Sequence, residues 1–109
     1  MYDGVWNAIN DAISAYMAQR NQLGSNDPKA AALDSTINSI ENRRSIWAEH
    51  QVQQSLANLQ DAGTLQKLSQ LTSSLKQSVQ SVQDLASALG TASQIISILA
   101  SIVAIVLAL

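Results

Sequence analysis

Charge stops at Asp84. From Leu85 to Leu109 no ionisable side chain occurs, and the chain closes on the apolar run IISILASIVAIVLAL beginning at Ile95. This asymmetry limits the folds open to the chain, because a helix so poor in polar groups is unstable in water until protein or lipid covers it. The segment Leu89–Leu109 has 21 residues, a helix of about 31 Å at 1.5 Å per residue, close to the roughly 30 Å hydrocarbon core of a bilayer. The two candidate covers are therefore a membrane and other helices, from this chain or from copies of it.

Composition narrows the function classes. Charged residues are 13% of the 109, against about 25% in ordinary soluble domains, so little repulsion opposes self-association. The net charge is −2, and the six basic residues, Arg20, Lys29, Arg43, Arg44, Lys67 and Lys76, are dispersed along the chain. Such dispersion argues against a phosphate-neutralising patch, and no nucleic-acid partner is expected. With no cysteine, a single histidine (His50) and no Gly-rich phosphate loop, HExxH motif or nucleophile elbow, the chain has no inventory for an enzyme. Neither catalytic residues, metal, cofactor nor small-molecule substrate is expected. His50 reads as part of a solvated helix face, where protonation near pH 6 beside Arg43, Arg44 and Glu49 is the sole acid trigger available to it. The start MYDGVWNAIND has neither the basic start nor the apolar run of a secretory signal. The expected location is membrane-associated, or exported without a cleaved signal.

The apolar spacing predicts an all-α fold. Val5, Ala8, Ile9, Ala12, Ile13, Tyr16 and Met17 fall on one helical face, which predicts a short amphipathic helix over residues 3–23. In the following LGSNDP, Gly24 suits a left-handed C-terminal cap, Asp27 an N-cap and Pro28 the first position of the next helix. A second helix over 28–62 follows, with Leu33, Ile37, Ile40, Arg44 and Trp47 in steps of four and three before the register slips to Val52, Leu56 and Leu59. Asp61, Ala62, Gly63 and Thr64 interrupt it, Gly by its helix cost of about 1 kcal/mol and Thr as a competent N-cap. Beyond them Leu65, Leu68, Thr72, Leu75, Val79, Val82, Ala86, Leu89, Ser93, Ile96, Ala100, Val103 and Leu107 hold a heptad-like alternation. This predicts one long third helix over 64–109, paired with the second as a hairpin or coiled coil, in a single elongated domain 1–109 with an apolar tip at 89–109.

The layout of a short amphipathic helix, a polar turn ending GSNDP and a helix beginning KAAALDSTINSIEN resembles the helical hairpin of small type III secretion needle and inner-rod subunits, over about residues 5–60. The resemblance implies export and helical polymerisation. Those subunits end with their second helix, whereas this chain continues into a rod whose tip is closer in character to membrane-inserting translocators and pore-forming proteins.

Between Leu89 and Leu109 lie 11 Leu, Ile and Val residues, which favour insertion by roughly 3–6 kcal/mol in total, offset in part by Gly90, Thr91, Gln94 and the serines. The residues expected to enter lipid are Leu89, Ile95, Ile96, Ile98, Leu99, Ile102, Val103, Ile105, Val106 and Leu107. Ser93, Ser97 and Ser101 recur every four residues, as do Ala100, Ala104 and Ala108, and such ridges let helices approach closely. These six are expected at helix–helix contacts, together with Leu68, Leu75, Val79 and Val82. Trp6, Ile9, Ile13, Tyr16, Arg44 and Trp47 are expected at subunit contacts; Arg44 either pairs locally with Glu41 or Glu49 or sets register against an acid of a neighbouring helix. The functional expectation is a self-assembling, membrane-active homo-oligomer, pore-forming or otherwise membrane-inserting, with a bilayer as partner. The alternative is a soluble subunit of a filament or multi-helix assembly whose apolar ends pack together.

Overall fold

The computed structural model describes residues 3–53 and 62–107. Within them the chain is all α: α1 Asp3–Arg20, α2 Pro28–Gln53, α3 Ala62–Gln80 and α4 Leu85–Leu107. The helices form a bundle 47 Å long and 23 by 17 Å across. Around its axis the order is α1, α2, α4, α3, so that α4 packs on both α2 and α3, and α2 and α3 face each other across the diagonal. Arg20 meets Asp34 and Asn10 meets Arg44, which fixes α1 antiparallel to α2. Tyr16, at the end of α1, meets Ala88, at the start of α4, so α4 descends beside α2 and α3 ascends beside α1.

Each turn has a local cause. The last carbonyls of α1 are taken up by Leu23 N–H on Arg20 O at 3.1 Å and Gln22 N–H on Gln19 O at 3.3 Å. That tightened exit needs no left-handed residue, and Gly24 has none: no glycine among the described residues has positive φ, which corrects the cap expected there. Asp27 is the N-cap of α2, its Oδ1 accepting from Lys29 N–H at 2.9 Å, with Pro28 in the first helical position. Arg20 Nε donates to Asp34 Oδ1 at 2.8 Å across the turn.

The long third helix is the main correction. It is two helices, broken at Ser81–Asp84. Asp84 and Ser87 build a reciprocal cap: Ser87 N–H donates to Asp84 Oδ1 at 2.8 Å, while Ser87 Oγ accepts from Asp84 N–H at 3.0 Å. The backbone N–H of Ser87, and then its hydroxyl, hold the Asp84 carboxyl below its ordinary pKa of 3.8. At the other expected break, Gly63 and Thr64 lie in the first turn of α3; Asp61, with Leu56 and Leu59, falls outside the described residues.

The break also resets the heptad. The buried stripe of α3 runs through Leu68, Thr72 and Leu75, as expected, but that of α4 is Ala88, Ile95, Leu99 and Ile102, one residue earlier than the continued alternation. Ala86, Leu89, Ser93, Ala100 and Leu107 of the continued stripe are exposed. The core is completed by Val5, Ala8, Ile9, Ala12, Ile13 and Tyr16 of α1 and Leu33, Ile37, Ile40 and Trp47 of α2. Met17, assigned to the apolar face of α1, lies at its edge and is exposed.

Candidate functional site

The apolar helix α4 is the candidate site, and its two faces divide its residues cleanly. Inward lie Ile95, Leu99 and Ile102, each fully buried, with Val103 buried beside them. Ile96, Ile98 and Ile105 are half-buried, and Leu89 and Leu107 are exposed. Of the remaining residues expected in lipid, the side chain of Val106 lies outside the described set. Outward lie Ser93, Ser97, Ala100, Ser101 and Ala104, all exposed; Ala108 is outside the described residues. Inside one bundle, therefore, Ile95, Leu99, Ile102 and Val103 meet neighbouring helices, while the ridge of Ser93, Ser97, Ala100, Ser101 and Ala104 meets solvent together with Leu89 and Leu107. Within this ridge the Ser101 hydroxyl donates back to Ser97 O at 3.2 Å in the same helix.

Among the other residues expected at helix contacts, Leu68 and Leu75 are fully buried, while Val79 and Val82 pack half-buried against the core. The residues expected at subunit contacts have these places within the one chain. Ile9, Ile13, Tyr16 and Trp47 are core residues. Trp6 and Arg44 form an α1–α2 contact: the Arg44 guanidinium carbon sits 5.6 Å from the Trp6 ring centroid, and Arg44 Nη1 donates to Asn10 Oδ1 at 2.9 Å. Arg44 thus finds an aromatic face and an amide, and no carboxylate is needed to hold it. Trp47 is fully buried with no partner for Nε1–H among the described residues, a loss of about 1–3 kcal/mol that its packing must offset.

Two contacts anchor the start of α4. One is the Asp84–Ser87 cap, and the other is the buried bond from Tyr16 Oη–H to Ala88 O at 2.7 Å, the longest-range side-chain bond among the described residues. No motif marks the second: Tyr16 reads as one more apolar position, and its phenol partner lies 72 residues away. Burial pushes the Tyr16 phenol up from 10.0 to about 12. A raised phenol pKa makes the folded state hold its proton more tightly, so the associated stability is complete below pH 10 and is lost as pH rises towards 12. The melting temperature is expected to fall over that interval, and Tyr16→Phe to remove this component of the fall while costing about 0.5–1.5 kcal/mol at neutral pH. A matched alkaline decline in both proteins by circular dichroism would contradict the assignment.

Grooves flank α4 on both sides. Asn42, Arg43 and Ile46 line one with Ala100, Val103, Ala104 and Leu107. Lys67, Gln70, Leu71 and Ser74 line the other with Ser101, Ala104 and Ile105. Among the described residues no group of His, Cys, Asp and Glu is placed to hold a metal ion. The His50 side chain lies outside those described. By length and composition the stretch Leu85–Ile105 could cross a membrane; the core helix of a soluble protein can be as long and as apolar. Comparison of the chain with protein-family models, curated proteins and solved structures finds no match.

Proposed function

We propose that the chain is a self-assembling, membrane-active helical protein that stores α4 in its bundle and delivers it to a bilayer. The observation that carries this reading is the charge-free stretch Leu85–Ile105, 21 residues long and mostly unburied in the bundle. The mechanism follows from geometry. Ile95, Leu99 and Ile102 cannot touch α1–α3 and lipid at once, so insertion requires α4 to swing away, with Ser81–Asp84 as the pivot. Lipid is as dry as the bundle, so α4 itself loses little apolar cover in the exchange. The cost falls on the face it uncovers, including Leu68 and Leu75, which association with further copies would cover again.

The test uses exposed positions, because a charge at Ile102 would unfold the bundle before any membrane was met. Ala100→Lys with Ala104→Lys leaves the core untouched and disfavours insertion by about 2.5–3.5 kcal/mol per lysine near a span's centre. The double variant is expected to keep the wild-type melt and to lose dye release from loaded liposomes. Undiminished release would defeat the proposal.

A second reading, a soluble structural subunit of a filament or multi-helix assembly, is favoured by the complete burial of Ile95, Leu99 and Ile102 within one chain. Under it, particles of defined size sediment without detergent and vesicles stay intact.

A further inference from the structure

We infer that the α3–α4 bend is a two-state joint: when α4 leaves the bundle, Ser81–Asp84 closes into helix and residues 62–107 become one continuous rod. This rests on the membrane-active reading above and adds where the released helix goes. The bend contains neither glycine nor proline, and no described residue has positive φ, so nothing in its backbone bars a helical turn. Its open donors are held by one cap. Gln83 N–H and Asp84 N–H both donate to Ser87 Oγ, at 2.9 and 3.0 Å, and Ser87 N–H donates to Asp84 Oδ1 at 2.8 Å. All three bonds are exposed and local. In a continuous helix the first two donors would turn to Val79 O and Gln80 O.

The remaining ties on the bend are those that seat α4 itself: Ile95, Leu99 and Ile102 in the core, and the Tyr16 bond to Ala88 O. Release breaks them together. The cap then stands alone against extension of α3, which adds one backbone bond per residue and needs no new nucleus. The register supports the same end state, since Val79, Val82, Ala86 and Leu89 continue in steps of three and four. Straightening brings Leu89 and Leu107, both exposed in the bundle, into line with Leu68 and Leu75. A rod over 62–107 measures about 69 Å at 1.5 Å per residue, against a bundle 47 Å long. Because α3 ascends towards the α1–α2 turn, the 23 residues of α4 would project past that turn. Their length of about 35 Å is enough to cross a hydrocarbon core of about 30 Å.

The test is the distance between spin labels on Lys67→Cys and Ala104→Cys in the full chain, with labelled protein diluted into unlabelled. Both positions are exposed and line one groove of the bundle, whereas a rod sets them about 56 Å apart. A short distance is expected in water. A narrow distribution near 56 Å is expected in dodecyl maltoside micelles, which offer apolar cover without a bilayer to breach. Asp84→Ala with Ser87→Ala removes the cap and is expected to raise the rod-to-bundle ratio about tenfold across a detergent titration. Leu85→Pro works in the opposite sense. Leu85 is the first residue of α4, behind the Asp84 cap, and the same Asp–Pro pair starts α2 at Asp27 and Pro28. The variant is expected to keep the bundle in water and to disfavour the rod about a hundredfold, because proline inside a helix loses a bond and clashes with the preceding turn. A short or broad distribution for the natural sequence in micelles, an unaltered ratio in the cap variant, or a rod undiminished by Leu85→Pro would each overturn the inference. Circular dichroism in water checks the fold of every variant; should Leu85→Pro not fold, the other two measurements decide. Dye release from liposomes with a broad distance distribution would sink the rod and leave the membrane-active reading standing, whereas a rod in micelles with vesicles left intact would do the reverse.

Discussion

Oxidising a chain that carries Ile46→Cys and Val103→Cys is expected to abolish dye release from liposomes, and reduction to restore it. Both positions line the groove between α2 and α4, and the two helices run in the same direction there, so a crosslink closes the bundle on the apolar helix. The natural chain contains no cysteine, so no competing disulfide confuses the result. If the formed crosslink does not fit the native spacing, Ala104→Cys in place of Val103→Cys tests the neighbouring turn; formation is read as a mobility shift on a non-reducing gel. The effect should be nearly all-or-none. A tethered α4 keeps Ile95, Leu99 and Ile102 against Leu68, Leu75 and the α2 core, and those side chains are the ones a bilayer would have to receive. Dye release that persists in the fully oxidised protein would show that α4 need not leave the bundle. Release of dye by neither form, with vesicle binding intact, would instead point to the soluble-assembly reading.

The sequence exposes most of the helices and misplaces one phase. Asp27 and Pro28 act through neighbours one to three residues away, so the α2 start is legible from local chemistry alone. The apolar faces of α1 and α2 are legible because their large side chains repeat at helical spacing with few rivals. The α3–α4 break is not legible by the same rule, since Val79, Val82, Ala86 and Leu89 carry the heptad through it without a gap. Two local signals do mark it. Asp84 is a strong N-cap residue directly before an apolar run, with Ser87 three positions on, and the stripe Ala88, Ile95, Leu99, Ile102 holds larger side chains than the continued stripe with Ser93 and Ala100. Weighting the alternation by side-chain volume would have moved the register by the one residue that separates an inward isoleucine from an outward serine. The Tyr16–Ala88 bond and the Arg44–Trp6 stack had no such signal, because each depends on which helices become neighbours in space.

Removing α4 by ending the chain at Asp84 is expected to abolish cooperative unfolding of what remains. Apart from α1, α4 is the helix that packs on both α2 and α3, so among the described residues the truncated chain keeps α2 and α3 together chiefly through α1. Three fully buried large side chains, Ile95, Leu99 and Ile102, leave with it, at about 1.5–3 kcal/mol each. Their sum is comparable to the roughly 5–15 kcal/mol that holds a typical domain together, before counting the partners they uncover. Leu99→Ala is the graded form of the same experiment and is expected to cost about 2–5 kcal/mol in a urea titration, the range for a buried leucine whose surroundings cannot close the gap. A residue 1–84 fragment with a sharp thermal transition and native-like amide protection would show that α4 is an appendage, and the stored-helix mechanism would lose its premise. The expected collapse has a practical consequence. Loss of membrane activity in a truncated chain reports unfolding as readily as loss of an inserting segment, whereas lysines at Ala100 and Ala104 charge the same segment and leave every core contact of α4 in place.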